Sequence, residues 1–329
     1  MGQAVRPSTF PTVLRYLKYV TFLSPIPVES PPEGLSDIFR QLHRFSKLSD
    51  IMITFPECFE YDDHPSPSMC RLQTAVLYCC GKSNPPDALR SFTFTNLWPY
   101  GPLSQTVRNG DLRRFLSIIL SFTLIISKKG YDEGAYCTEI FMDFFGGDFN
   151  ALLDCLPAAL TTLSIKNPLL HCWTGPALPQ FHFLTSLRLE KMLFFKPYSL
   201  TDEIVQPKDY NTSEGFILRH NSIEQLRFID CSMDVPEDGF DPDRTWASFV
   251  TKGLREQHLP NLKQLQIVQR GIVLGPDGQT IRGGGYARLD VGYGYFEAPS
   301  LDDAAREADA VAFGTIQGVL SLRRASYVN

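Results

Sequence analysis

The sequence lacks any apolar run long enough to span a bilayer, which takes about 20 residues in a helix. The best candidate, Phe115-LSIILSFTLIIS, covers 13 residues between Arg113-Arg114 and Lys128-Lys129, and it reads as buried core. Near the start, Val20-TFLSPIPV is broken by Pro25 and Pro27, so it does not read as a signal peptide. A large excess of one charge is missing too. Lys and Arg number 31 against 36 Asp and Glu, a net charge of -5 that gives no general attraction to nucleic acid or anionic membrane. None of the eight cysteines forms a CxxC pair, and only Cys79 and Cys80 are close in sequence, so neither a disulfide scaffold nor a structural zinc site is expected. The sequence therefore reads as an intracellular chain, cytoplasmic or nuclear, whose thiols sit in a reducing compartment.

Chemical signatures are equally scarce. HExxH, GxSxG, P-loop and kinase patterns are all missing. Gly283-Gly-Gly-Tyr-Ala-Arg and Gly292-Tyr-Gly-Tyr-Phe-Glu both fall short of GxGxxG. The six histidines (43, 64, 171, 182, 220 and 258) stand apart from one another, and Asp234-VPEDGFDPD lacks the order of a calcium loop. No cofactor and no metal are expected, and the chain reads as non-catalytic.

What the sequence has is a repeated pattern. Leu89-RSFTF, Leu160-TTLSI, Leu184-TSLRL, Ile223-EQLRF and Leu262-KQLQI each read apolar-x-x-apolar-x-apolar with polar residues between. Chance supplies on the order of one or two such matches in this composition. Leu17-KYVTF, Leu48-SDIMI and Ile119-LSFTL are looser versions. The last two apolar residues of each motif are two apart, so they share one face of a short strand. The first packs in the turn leading into that strand.

Helical stripes precede several motifs. They are Leu35, Ile38, Phe39, Leu42 and Phe45; Leu112, Phe115, Leu116 and Ile119; and Phe149, Leu152, Leu153 and Leu156. Asp241-PDRTWASFVTKGLREQ reads as a helix capped by Asp241, with Trp246, Phe249, Val250 and Leu254 inward. Helix followed by strand, repeated, predicts parallel strands joined by crossovers. The expected fold is α/β, a leucine-rich-repeat-like solenoid with a curved parallel sheet and long, irregular repeats. It forms one domain over 1–329, with repeat units over about 10–270.

Residues 271–329 read as a C-terminal cap. Gly275-Pro-Asp-Gly278 separates Ile272-Val-Leu from Thr280-Ile as a hairpin. Ala287, Leu289, Val291, Tyr293 and Tyr295 alternate as in one strand, and Ser300-LDDAAREADAVAFGTIQGVLSLRR reads as a final helix with a capping box at Ser300 and Asp303.

On the predicted concave face the central x positions form a column of Thr93, Thr123, Ser164, Arg188, Arg227 and Gln266, with Thr95, Lys166 and Glu190 beside it. Lys166, Arg188, Glu190, Arg227 and Gln266 are the candidate partner-binding residues. A row of hydroxyl, amide and basic groups on a rigid sheet suits a protein partner. Two further readings remain: an enzyme with a dispersed active site near the Gly-rich 271–298 segment, and a small-ligand sensor on the concave face.

The motifs at 184–189, 223–231 (Ile-Glu-Gln-Leu-Arg-Phe-Ile-Asp-Cys) and 262–267, the helix around Trp246 and the Tyr286-ARLDVGYGYFE tail together resemble fungal F-box/leucine-rich-repeat-type proteins. That resemblance covers roughly 85–325. It implies a substrate receptor of a cullin–RING ubiquitin ligase, with an N-terminal F-box on the ligase adaptor and the repeats on the target. Apart from the resemblance, the charge balance and the lack of a spanning run predict no nucleic-acid or membrane partner, and a monomer in isolation is expected. Pro32, Leu35, Ile38, Phe39 and Leu42 echo an F-box helix, but Ser49-DIMITFPECFEYDDHP reads as strand and loop where further helices belong. A degenerate F-box and an ordinary repeat helix both remain open for 32–42.

Overall fold

The computed structural model describes residues 19–23, 34–55, 67–98, 111–127, 149–171, 179–194, 213–234, 245–255, 258–268, 272–274, 280–282, 285–290, 294–297 and 303–326. The strands are β1 (Tyr19–Leu23), β2 (Asp50–Thr54), β3 (Ser91–Leu97), β4 (Ser121–Ile126), β5 (Thr162–His171), β6 (Ser186–Phe194), β7 (Gln225–Ile229), β8 (Ser232–Asp234) and β9 (Gln264–Val268). Later come β10 (Ile272–Leu274), β11 (Thr280–Arg282), β12 (Tyr286–Asp290) and β13 (Gly294–Glu297). Among the described residues the helices are α1 (Leu35–Gln41), α2 (Pro67–Lys82), α3 (Asp111–Leu116), α4 (Phe149–Asp154), α5 (Ser213–Leu218), α6 (Trp246–Arg255) and α7 (Asp303–Ser326).

The result is an α/β fold on a mostly parallel open sheet. Strands β1 to β7 and then β9 pair side by side in chain order, each parallel to the next. Their registers align without stagger. Ile51, Phe92, Phe122, Leu163, Leu187, Leu226 and Leu265 form one row, and Ile53, Phe94, Leu124, Ile165, Leu189, Phe228 and Ile267 another. Val20 and Phe22 align with Ile51 and Ile53, which puts the Tyr19–Phe22 part of the first loose motif in the same series, while Leu17 lies outside the described residues.

Each described motif builds the same local structure. The N–H groups of Leu48, Leu89, Ile119, Leu160, Leu184, Ile223 and Leu262 close tight turns on the carbonyl three residues earlier. The first apolar residue of each of these seven motifs is thereby held in the core, at most 2% exposed. Just after it, one carbonyl accepts two N–H groups from the following unit. Ser49 O takes those of Arg90 and Ser91, Arg90 O those of Leu120 and Ser121, and Leu120 O those of Thr161 and Thr162. Thr161, Thr185 and Glu224 repeat the pattern. The turn fixes the strand's entry, and the shared carbonyl fixes its register against the next.

The two apolar rows face the helices. Phe39, Leu72, Val76, Leu77, Leu112, Phe115, Leu152, Leu153, Phe216, Phe249 and Val250 join them in one hydrophobic cluster that runs on to Leu320. The run from Phe115 to Ser127 divides between the end of α3 and strand β4, and no described helix is long and apolar enough to cross a membrane. Phe39 of α1 and Leu42 of the 3-10 turn after it (Leu42–Arg44) are buried but Ile38 is half exposed, so the stripe there is narrower than expected. Helix α2 has no counterpart in the sequence reading, although Leu72, Val76, Leu77 and Cys80 recur at helical spacing. The buried Gln73 side chain fastens it to the end of β3. Its Nε2 donates to Trp98 O at 2.9 Å, and its Oε1 accepts the Trp98 N–H at 2.8 Å.

Beyond β6 the sheet forks. Ser186–Glu190 pair with β7, while Leu193 and Phe194 pair with β8. Lys191 (φ 56°) and Asp230 (φ 49°) stand at the two bends in the left-handed region, which non-glycine residues adopt only under local constraint. Strand β12 adds to β8 in parallel, and β13 folds back on β12.

Two expectations for the C-terminal region need correction. The alternating run at 287–295 is two antiparallel strands, with Asp290 paired to Gly294, because the Gly-containing stretch between them allows the chain to reverse. Helix α6 starts at Trp246, and Thr245 Oγ1 accepts the Ser248 N–H at 3.0 Å, so the capping hydroxyl lies four residues beyond Asp241. The β10–β11 hairpin forms as read, with Ile272 opposite Arg282. Ser300 of the expected capping box lies outside the described residues, as does most of the acidic 234–243 loop.

Candidate functional site

Parallel sheets are ordinarily covered on both faces. Among the described residues no element covers the second face of the β2–β7 and β9 sheet, and that face is largely polar. The register aligns Met52, Thr93, Thr123, Ser164, Arg188, Arg227 and Gln266 across seven strands. The three threonine and serine residues are half-buried, while Met52, Arg188, Arg227 and Gln266 are exposed. Polar residues stand here because alternate positions of each strand must point away from the helices.

The neighbouring row is Thr54, Thr95, Ile125, Lys166, Glu190, Ile229 and Val268. Four of the five residues expected on the exposed strip are exposed: Lys166, Arg188, Arg227 and Gln266. Glu190 departs from that expectation, being only 2% exposed. The cause is its position at the fork, beside buried Ile229 and between two cations. Lys166 Nζ lies 3.3 Å from Glu190 Oε1, and Arg188 Nη2 lies 3.2 Å from Oε2. Glu190 therefore orders the strip from beneath and offers no exposed carboxylate to a partner.

Where strands end, polar side chains tie one unit to the next. Asn96 Nδ2 donates to Phe55 O at 3.2 Å, and Asn167 Nδ2 reaches Lys191 O at 3.4 Å and Met192 Sδ at 2.8 Å. Cys231 Sγ lies 3.4 Å from Leu189 O and 3.5 Å from the Met192 N–H it accepts. Burial pushes the Cys231 thiol up to about 12 and that of Cys155 to about 11, and it raises Cys79 and Cys80 as well. These four are thiols, not disulfides, and at neutral pH they stay protonated and weakly nucleophilic.

Two further clusters gather ionisable groups, and neither was visible as such in the sequence. His220 is buried between Phe181 and Phe216, with ring centroids 5.9 and 4.3 Å away. Its Nδ1–H donates to Phe216 O at 2.6 Å, and its Nε2 accepts the Phe181 N–H at 2.9 Å, which fixes the neutral tautomer. With both nitrogens bound to backbone, His220 splices two units together.

The second cluster lies where the Gly-rich segment meets α7. Tyr286 Oη donates to Asp309 Oδ2 at 2.5 Å, and Asp309 Oδ1 accepts the Ala247 N–H at 2.8 Å, capping α6 from another element. Trp246 Nε1 donates to Gly285 O at 3.0 Å. Gly285 has φ 76°, a conformation that suits glycine, and its carbonyl also accepts the Met233 N–H. Burial raises the Asp309 carboxyl, and burial together with the Asp309 carboxylate raises the Tyr286 phenol. At the other end of α7, Arg323 Nη1 donates to Leu259 O and Leu262 O. Trp246, Tyr286, Asp309 and Arg323 thus form an internal latch that joins α7 to α6, to β12 and to the turn before β9. No group of His, Cys, Asp and Glu arranged to hold a metal occurs among the described residues.

Comparison with models of protein families and with curated proteins finds no match for this chain.

Proposed function

We propose that the chain is a protein-interaction module of leucine-rich-repeat type, which binds its partner on the open polar face of the sheet. The observation that carries this reading is the seven-strand column from Met52 to Gln266, an unstaggered parallel sheet whose one face no described element covers. A parallel sheet with an uncovered face needs a use for that face, and stacked-repeat proteins use theirs for binding. The recurrent turn before each strand supports the repeat reading. So does Cys231, eight residues after Ile223, where the repeat consensus places an Asn or Cys. The thiols at Cys79, Cys80, Cys155 and Cys231 support an intracellular setting, cytoplasmic or nuclear.

In its more specific form, the module is the substrate-recognition part of an F-box-type cullin–RING ubiquitin ligase, which rests on the family resemblance. Affinity purification of the full chain tests both levels. The expected result is co-purification of the ligase adaptor together with a target, and loss of the target alone in a Thr123→Glu/Ser164→Glu variant of unchanged melting temperature. Repeated recovery of a target without the adaptor would remove the ligase assignment. Retention of the target by the face variant would remove the open-face assignment.

A further inference from the structure

The open face is not evenly charged. Lys166, Arg188 and Arg227 stand on the consecutive strands β5, β6 and β7, with Arg188 and Arg227 in direct register. Adjacent strands run about 4.8 Å apart, so the two arginine side chains leave the sheet side by side. Like charges placed directly opposite on neighbouring strands repel. One carboxylate answers the three cations, since Glu190 gives one oxygen to Lys166 and the other to Arg188. Arg227 is exposed and has no acidic partner among the described residues. The rest of the central column adds hydroxyls and an amide, Thr93, Thr123, Ser164 and Gln266, and no carboxylate. The strip thus carries about two surplus positive charges on a chain whose net charge is -5.

We propose that this strip binds an acidic segment of a partner protein, with an Asp or Glu side chain bridging Arg188 and Arg227. This deepens the open-face reading and rests on it. A carboxylate between two parallel guanidinium groups relieves their repulsion and accepts charge-assisted hydrogen bonds from both. Buried Glu190 braces Arg188 and Lys166 from below, so the Arg188 guanidinium and the Lys166 ammonium are partly ordered before a ligand arrives. The adjoining hydroxyl column can hydrogen-bond the backbone of an extended segment. A nucleic acid fits less well: the attraction is confined to a few residues on an acidic chain, while polyanion binding draws on many cations.

The probe is a fluorescent peptide of alternating Glu and Ser, compared with its Gln and Ser counterpart and with a single-stranded oligonucleotide, titrated into the full chain by anisotropy. The acidic peptide is expected to bind at least about tenfold more tightly than the amide peptide, and to weaken as salt rises from about 50 to about 300 mM. Arg227→Glu is expected to weaken it by about tenfold or more without lowering the melting temperature, because Arg227 is exposed. Gln266→Glu, on the next strand, is expected to weaken it in the same direction while leaving the Glu190 ion pairs intact. Equal binding of the acidic and amide peptides, indifference to both substitutions, or tighter binding of the oligonucleotide would each overturn the proposal. If the acidic peptide fails while a target is still lost in the Thr123→Glu/Ser164→Glu variant, only the ligand chemistry falls. If the target is also retained there, the open-face reading falls with it.

Discussion

Phe228→Ala is expected to lower the stability of the fold by about 3–5 kcal/mol, the range for emptying a fully buried phenylalanine site. Phe228 is 0% exposed and occupies the inner row of β7. Its ring lies 5.1 Å from Phe194, 5.5 Å from Trp246 and 5.8 Å from Phe249, so one side chain joins β6, β7 and α6. The cavity left by truncation cannot close easily, because the strands on both sides are pinned by shared-carbonyl hydrogen bonds at Thr185 and Glu224. Phe183 supplies the comparison. It is 62% exposed, and Phe183→Ala is expected to change stability by less than about 0.5 kcal/mol. Chemical denaturation followed by circular dichroism reads both. A loss below about 1 kcal/mol for Phe228→Ala would mean that this aromatic cluster does not join the units.

Acid is expected to destabilise the fold through His220. Burial lowers its pKa from 6.5 to about 4, with the nearby positive charges of Arg219 and His182 acting in the same direction against the Phe216 hydrogen bond. In the unfolded chain the imidazole takes up a proton near its ordinary value, while in the folded chain it resists down to about 4. Between those values the unfolded state binds more protons, so stability is full above about 6.5 and declines as pH falls towards 4. At 1.36 kcal/mol for each pH unit, the whole window is worth about 3 kcal/mol. Urea midpoints measured from pH 7.5 to pH 4.5 are expected to fall with a slope that His220→Gln removes in large part. Gln keeps an acceptor within reach of the Phe181 N–H and does not titrate. An unchanged slope in that variant would show that other groups carry the acid sensitivity.

The strands were legible because their signal is local. An apolar residue, two polar positions and an apolar pair two apart suffice to specify a turn, a strand and its inner face, as Leu160, Leu163 and Ile165 show. Helix α2 was not legible although Leu72, Val76 and Leu77 carry its stripe, because the segment follows a proline-containing stretch and Pro85-Pro86 separates it from the Leu89-RSFTF strand it leads into. The burial of Glu190 could not be read from its own strand. It depends on Lys166 one strand away on one side and Ile229 one strand away on the other. The fork at Lys191 and the pairing of β12 with β8 are long-range choices with no periodic trace. For the same reason the Tyr286–Asp309–Ala247 latch stayed hidden. An Asp in an acidic helix and a Tyr in a Gly-rich strand look like solvent-facing residues until the chain brings them together.

The central claim is that the open face of the sheet is the binding surface. The most direct measurement places a photoreactive amino acid singly at Thr93, Thr123, Ser164 and Gln266 on that face, and at Tyr78 and Arg113 on exposed positions of α2 and α3, followed by irradiation in cells that express the full chain. The prediction is covalent adducts to a common protein from the face positions and none from the helices. Adducts formed from Tyr78 or Arg113, with none from the column, would contradict it.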